Sequence, residues 1–311
     1  MRTQRRIVEL ADSTPKDVLK HLGDSLQVQW RRYRKRLKRC QERFSEEAVH
    51  ASRVETRRLL ATVELLRAFI PEDDLKKARR ALKHHLDTFD QLRDTQVHLG
   101  YVGRLKGSFP LAGAFHAWLC KREARFTRET RRAVKHIKTR RLGRRINAFG
   151  TQINRLRKDT SRASAFEAEV RAIDRAFARV AQSCRRVKAA DTATIHRTRI
   201  AFKRFRYMMD ALSPLLPAVT DQHRSAMRGY QSMMGDIQDV EVLLVALGKF
   251  IRSQEIDGRS ARQLRAELQR RRGWLIQVYM NAAGKLRQFW PLPGLAGRSF
   301  LPPGEQRDSQ K

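Results

Sequence analysis

Apolar positions recur every three or four residues along almost the whole chain, the period of an α-helix, and runs that alternate apolar with polar are absent. Pro15, suited to a first helical turn, opens a long helix through Phe44. Ser45 caps a second, to about Ile70, with Glu46 and Glu47 in the first turn where the helix dipole favours acids, and Pro71 ends it. The stretch EDDLKKARRALKHHLDTF predicts a third helix and LRDTQVHLGYVGRL a shorter fourth. Pro110 opens a long fifth. The segment TRRLGRRINAFGTQINRLRKDTSRAS holds two glycines and a Ser/Thr-rich end, and it interrupts the rhythm. It reads as a basic connection over 141–164, with some helix inside it, and the pattern resumes near Ala165. The tail from residue 290 is rich in Pro and Gly and is expected to be disordered.

One block occurs twice. VHASRVETRRLLATVELLRAFIP begins at Val49, and IHRTRIAFKRFRYMMDALSPLLP begins at Ile195. His50 and His196 are 146 positions apart (196 − 50), and the same offset pairs Arg53 with Arg199, Arg57 with Lys203, Arg58 with Arg204, Glu64 with Asp210 and Pro71 with Pro217. After one deletion the offset becomes 145 (239 − 94), and LRDTQVHL meets IQDVEVLL with Asp94 on Asp239. Matches in order across two helices predict one bundle used twice. The fold class is all-α: two pseudo-symmetric antiparallel helical bundles, over 15–140 and 165–289 of one domain, around a basic central groove or pore.

Charge gives the repeat its meaning. Lys plus Arg number 67 against 32 for Asp plus Glu, a formal +35, and the pI is near 11.4. Such self-repulsion is relieved by a polyanionic partner. On a helical wheel His50, Arg53 and Arg57 form one narrow strip, as do His196, Arg199 and Lys203, with Arg58 and Arg204 flanking and Arg206 extending the second. Leu59, Val63, Leu66 and Ile70 lie opposite and form the core face. Basic helix faces are commonly just solvated. Here the pattern is duplicated, few acids stand at pairing distance, and His recurs at its start. Arg bonds two phosphate oxygens with its planar fork and Lys offers a point charge, so cations one turn apart suit a chain of repeating phosphates. Further basic faces run through Lys76, Arg80 and Lys83 on the third helix and through Lys121, Arg125, Arg128, Arg132 and Lys135 on the fifth. Asp94 and Asp239 read as acids that orient an arginine or cap a helix, and Glu64 and Asp210 as acids that hold strip arginines in place.

Other chemistry finds little purchase. The three cysteines, Cys40, Cys120 and Cys184, form no CxxC pair, which argues against zinc or a disulfide framework. His98, one turn from Asp94, lacks a third metal ligand. No HExxH, P-loop, dinucleotide loop, or Ser or Cys nucleophile with an evident base is present. The start MRTQRRIVELADSTP has no apolar signal region and no apolar run is long enough to span a bilayer, so a cytoplasmic protein is expected.

On VHASRVETRRL at 49–59, QLRDTQV at 91–97, IHRTRIAFKRFRYMMD at 195–210 and MGDIQDVEVL at 234–243, the sequence resembles the CHAD family, named for conserved histidines in an α-helical domain. The likeness runs from Pro15 to Phe289. It implies two helical bundles around a basic pore that binds inorganic polyphosphate. The implied binding residues are His50, Arg53, Arg57, Arg58, His196, Arg199, Lys203, Arg204 and Arg206, with no cofactor, and polyphosphate granules are the implied place of action. Nothing in the chain supplies the clustered glutamates of the CYTH-type domains that often accompany the family. Gln238 stands where the first half has Arg93, so the halves are expected to share the ligand unequally. Two other readings follow from the residues. Cationic strips bind nucleic acid backbones as well, although Trp30, Phe69, Phe89 and Tyr207 read as packing residues, not a stacking platform. An enzyme acting on polyphosphate would need Mg²⁺ held by carboxylates, for which Asp94, Asp239, Glu64 and Asp210 are the candidates.

Overall fold

A computed structural model describes residues 15–256 and 258–292. Among them the fold is helical throughout, with no strand. The helices are α1 (Pro15–Glu42), α2 (Glu46–Leu65), α3 (Glu72–Asp87), α4 (Asp90–Gly103), α5 (Pro110–Lys135), α6 (Arg140–Asp159), α7 (Arg162–Arg185), α8 (Thr192–Leu212), α9 (Asp221–Ser253) and α10 (Gly258–Ala282). Short 3₁₀ turns follow α2, α8 and α10. Ser45 caps α2 by accepting from the Ala48 amide, and Asp191 and Thr220 cap α8 and α9 in the same way.

Within each half, consecutive helices pack: α1 on α2, α2 on α3 and α4 on α5, then α7 on α8, α8 on α9 and α9 on α10. Between halves, helices pack on their sequence counterparts, α1 on α7, α2 on α8, α4 on α9 and α5 on α10. The 145-residue offset extends through the core. Leu82, Phe89, Leu92 and Val102 are buried, and so are Met227, Met234, Ile237 and Leu247 at the matching positions. The first half breaks its helix between α3 and α4, and the second half runs straight through as α9.

Two segments differ from the sequence reading. The glycine-bearing connection is a full helix, α6, packed on α1. A Cβ on Gly143 would come within 2.9 Å of the Trp30 ring, and one on Gly150 within 2.9 Å of the Gln27 amide. These glycines are there so that two helices can approach closely, and they do not break the helix. The second difference is at the end of the chain. Trp290 is buried and its indole donates to Asp174 Oδ1 at 2.6 Å, with Leu292 buried beyond it, so Trp290 and Leu292 belong to the core. The rest of the Pro/Gly-rich tail lies outside the described residues.

The core contains one buried polar pair whose loss is measurable. The Tyr33 hydroxyl and His85 Nδ1 share a buried hydrogen bond of 2.6 Å. Burial, then the neighbouring His84, pushes the His85 imidazole down to about 4, so it stays neutral. Tyr33→Phe leaves that nitrogen buried without a partner and should cost about 1–3 kcal/mol in urea unfolding. Because the folded pKa is lowered, the His85 contribution is complete above about 6.5 and is lost as pH falls toward 4.

Candidate functional site

The basic strips sit on α2 and α8, which pack against each other at the middle of the molecule. Their opposite faces fix this placement. Leu59, Val63 and Leu66 on one side and Phe202, Phe205 and Met209 on the other are fully buried. On α2, His50 and Arg58 are exposed, Arg57 is half-buried and Arg53 is buried. On α8, His196, Arg199, Lys203 and Arg204 are half-buried and Arg206 is buried.

Lys203 is the centre of a cluster of like charge. Burial, then the neighbouring guanidinium groups of Arg57, Arg199 and Arg53, pushes its ammonium down to about 7, with Asp90 opposing. Among the described residues Arg57, Arg199 and Lys203 make no ion pair with any acid. The Nε atoms of Arg57 and Arg199 are buried with no hydrogen-bond partner, as is His196 Nδ1. These buried nitrogens have no acceptor within the protein, and the nearest carboxylates act on the cluster only through space.

The remaining strip residues are held by the protein. Arg53 donates through Nη1 to Asp90 Oδ1 at 3.1 Å and to the Leu86 carbonyl at 3.4 Å. Arg58 pairs with the buried Glu55 at 2.7 Å. Arg204 crosses from α8 to Glu64 on α2 at 2.6 Å, away from the Lys203 cluster. Arg79 also donates to Glu64, and Arg67 reaches it at 3.5 Å, so three arginines collar one acid. Arg206 donates to Asp210 at 2.6 Å and to Gln231 at 2.8 Å, and its guanidinium lies 4.3 Å from the Tyr207 ring centroid. Glu64 and Asp210 thus hold Arg204 and Arg206.

One turn past Lys203 on α8, a cavity of about 380 Å³ opens between α2, α8 and the start of α9. Arg58, Arg206, Arg224 and Arg228 line it, with Tyr207 and Asp210. Arg224 and Arg228 escaped the sequence reading. The signal was the repeat itself, since the 145 offset sets Arg224 on Arg79 and Arg228 on Lys83. Asp94 and Asp239 lie on the other side of the cluster, within Coulomb range of Arg199 and of each other. Desolvation by surrounding protein raises both carboxyls, although Asp94 keeps contact with solvent, and Arg199 pulls both back. The acid that bonds Arg53 is Asp90, one turn before Asp94.

The other basic faces stay apart. Lys76, Arg80 and Lys83 on α3 and Lys121, Arg125, Arg128 and Arg132 on α5 are exposed, and none lines this cavity. Arg125 pairs with Glu129 at 3.6 Å. Among the described residues no group of three or more His, Cys, Asp or Glu is placed to hold a metal ion, and no helix is long and apolar enough to cross a membrane. The aromatic side chains named in the sequence pack inward, with Trp30 and Phe89 buried and Phe69 and Tyr207 partly so. Trp274 on α10 is exposed, with the Arg271 guanidinium 4.2 Å from its ring centroid.

With this geometry in place, comparison with known proteins is informative. The family model described as CHAD domain matches residues 24–248. No match is found among curated proteins. Two solved structures are similar. The crystal structure of the CHAD domain from the plant Ricinus communis has a TM-score of 0.56 at 20% identity and covers 92% of each chain. PptA from Streptomyces chartreusis has a TM-score of 0.62 at 17% identity, covering 87% of this chain and 99% of the other. At such identities the likeness is one of fold.

Proposed function

The chain belongs to the CHAD domain family, and on that premise we propose that it binds inorganic polyphosphate in the α2–α8 groove without cleaving it. The family is associated with polyphosphate binding. The observation that carries the proposal is the Lys203 cluster, in which four cations crowd together and three of them have no acid partner. A run of phosphates supplies the counter-charge that Arg57, Arg199 and Lys203 lack. Arg57 and Arg199 fork onto phosphate oxygens, Lys203 sits between them as a point charge, and His50 and His196 extend the strip as ring donors. The cavity lined by Arg206, Arg224 and Arg228 continues the path one turn further. The pseudo-two-fold relation of the halves belongs to the same reading, since it brings both strips to one polymer. The protein then acts where the polymer accumulates, in the cytoplasm and on polyphosphate granules.

Phosphoryl transfer needs metal-bound oxygens beside the cations; Glu64 and Asp210 are occupied with arginines, and Asp94 and Asp239 belong to no group of three potential metal ligands among the described residues. Long-chain polyphosphate incubated with the protein and Mg²⁺ should therefore co-elute with it and keep its length. Co-elution followed by shortening would overturn the non-enzymatic part of the reading.

A further inference from the structure

The repeat places an arginine at the same point of each half, yet the residue facing it differs. In the register that matches Leu82, Phe89 and Leu92 with Met227, Met234 and Ile237, Asp90 falls on Gly235. Arg53 meets a carboxylate there, bonded at 3.1 Å, and the Leu86 carbonyl takes a second bond from the same nitrogen. Arg199 meets bare backbone. A Cβ built on Gly235 would lie 3.6 Å from Arg199 Nε and 3.9 Å from Nη2, so the guanidinium rests directly over the glycine. Its Nε has no acceptor, and Asp94, Asp236 and Asp239 act on it only through space.

We infer that Arg199 is the arginine that grips polyphosphate, that Gly235 keeps it free to do so, and that Asp90 holds Arg53 as a positioning residue. The inference rests on the polyphosphate reading. A phosphate approaching Arg53 must displace a charge-assisted bond already made and then face the carboxylate it released. A phosphate approaching Arg199 displaces nothing. Arg53 still contributes its field, since it is one of the charges that depress Lys203. The equal spacing of the two strips therefore conceals unequal work.

The test is an exchange of the two facing residues, read as polyphosphate affinity near physiological salt. Arg199→Gln should weaken binding about tenfold or more, and Arg53→Gln less than about threefold, because only the first removes an ionic bond to the ligand. Gly235→Asp should reproduce the Arg199→Gln loss, and adding Arg199→Gln to it should cost little more. Gly235→Ala adds a carbon at ordinary contact distance without charge, and should bind as wild type does, which separates the carboxylate from any effect on the helix. In an Asp90→Gly background, Arg53→Gln should become costly, since Arg53 is then free. Equal losses for Arg53→Gln and Arg199→Gln, or equal losses for Gly235→Ala and Gly235→Asp, would overturn the inference and leave the binding function standing. A wild-type protein that binds no polyphosphate would overturn both.

Discussion

Replacing Lys203 with methionine will weaken polyphosphate binding at least about tenfold and at the same time raise the thermal stability of the free protein. The two effects have one cause. Lys203 is half-buried among Arg57, Arg199 and Arg53, and its ammonium is pushed down to about 7. Its folded pKa lies below its unfolded value, so the unfolded chain binds a proton that the fold resists. Stability of the free protein therefore rises with pH from about 7 toward 10.5, and this rise is absent in Lys203→Met. Bound phosphate reverses the preference and draws the proton back. Wild-type affinity should hold below pH 7 and fall as pH rises above it, by up to about tenfold per unit, while Lys203→Arg stays flat because a guanidinium does not titrate there. Calorimetric titrations from pH 6 to 9 measure both. Affinity that is indifferent to Lys203→Met would remove this residue from the site.

The largest loss of stability will come from Glu64→Gln. Glu64 is nearly buried and receives Arg204 from across the α2–α8 interface, together with Arg67 and Arg79. Without its charge, Arg204 loses its acid partner and faces Arg67 and Arg79, which keep Glu72. Removing one partner of a buried ion pair costs about 3–5 kcal/mol because the other charge remains. The arginines here keep part of their solvent contact, at 31%, 26% and 30% for Arg204, Arg79 and Arg67, so about 3 kcal/mol is expected. Asp210→Asn should cost less, since Arg206 keeps its bond to Gln231. Urea midpoints of the two variants give the comparison. Equal midpoints would mean the Glu64 collar is a surface feature.

Those contrasts show what a single sequence could and could not reveal. The helices were legible because helical period, the Ser45 cap and the prolines at 15, 71 and 110 are local signals. The strips were legible because wheel geometry follows from spacing alone. Partner choice was not. That Arg204 reaches Glu64, that Asp90 bonds Arg53, and that Arg224 and Arg228 join Arg206 all depend on which helices touch. The glycines of α6 misled because glycine serves both turns and close packing, and only the neighbouring Trp30 and Gln27 decide between them. Trp290 was grouped with the proline-rich tail because its partner, Asp174, is far away in sequence.

The nucleic-acid reading draws on the same +35 charge, and one experiment separates it from the groove. The affinity for long-chain polyphosphate is measured near physiological salt, with duplex DNA as competitor at equal and excess phosphate concentration. On the proposed reading, the path along the two strips and Lys203 takes a thin, flexible phosphate chain and not a rigid duplex, so tight binding that excess DNA barely displaces is the predicted result. Ready displacement by DNA would mean that the charge acts as a general polyanion surface, and it would contradict the shaped polyphosphate site.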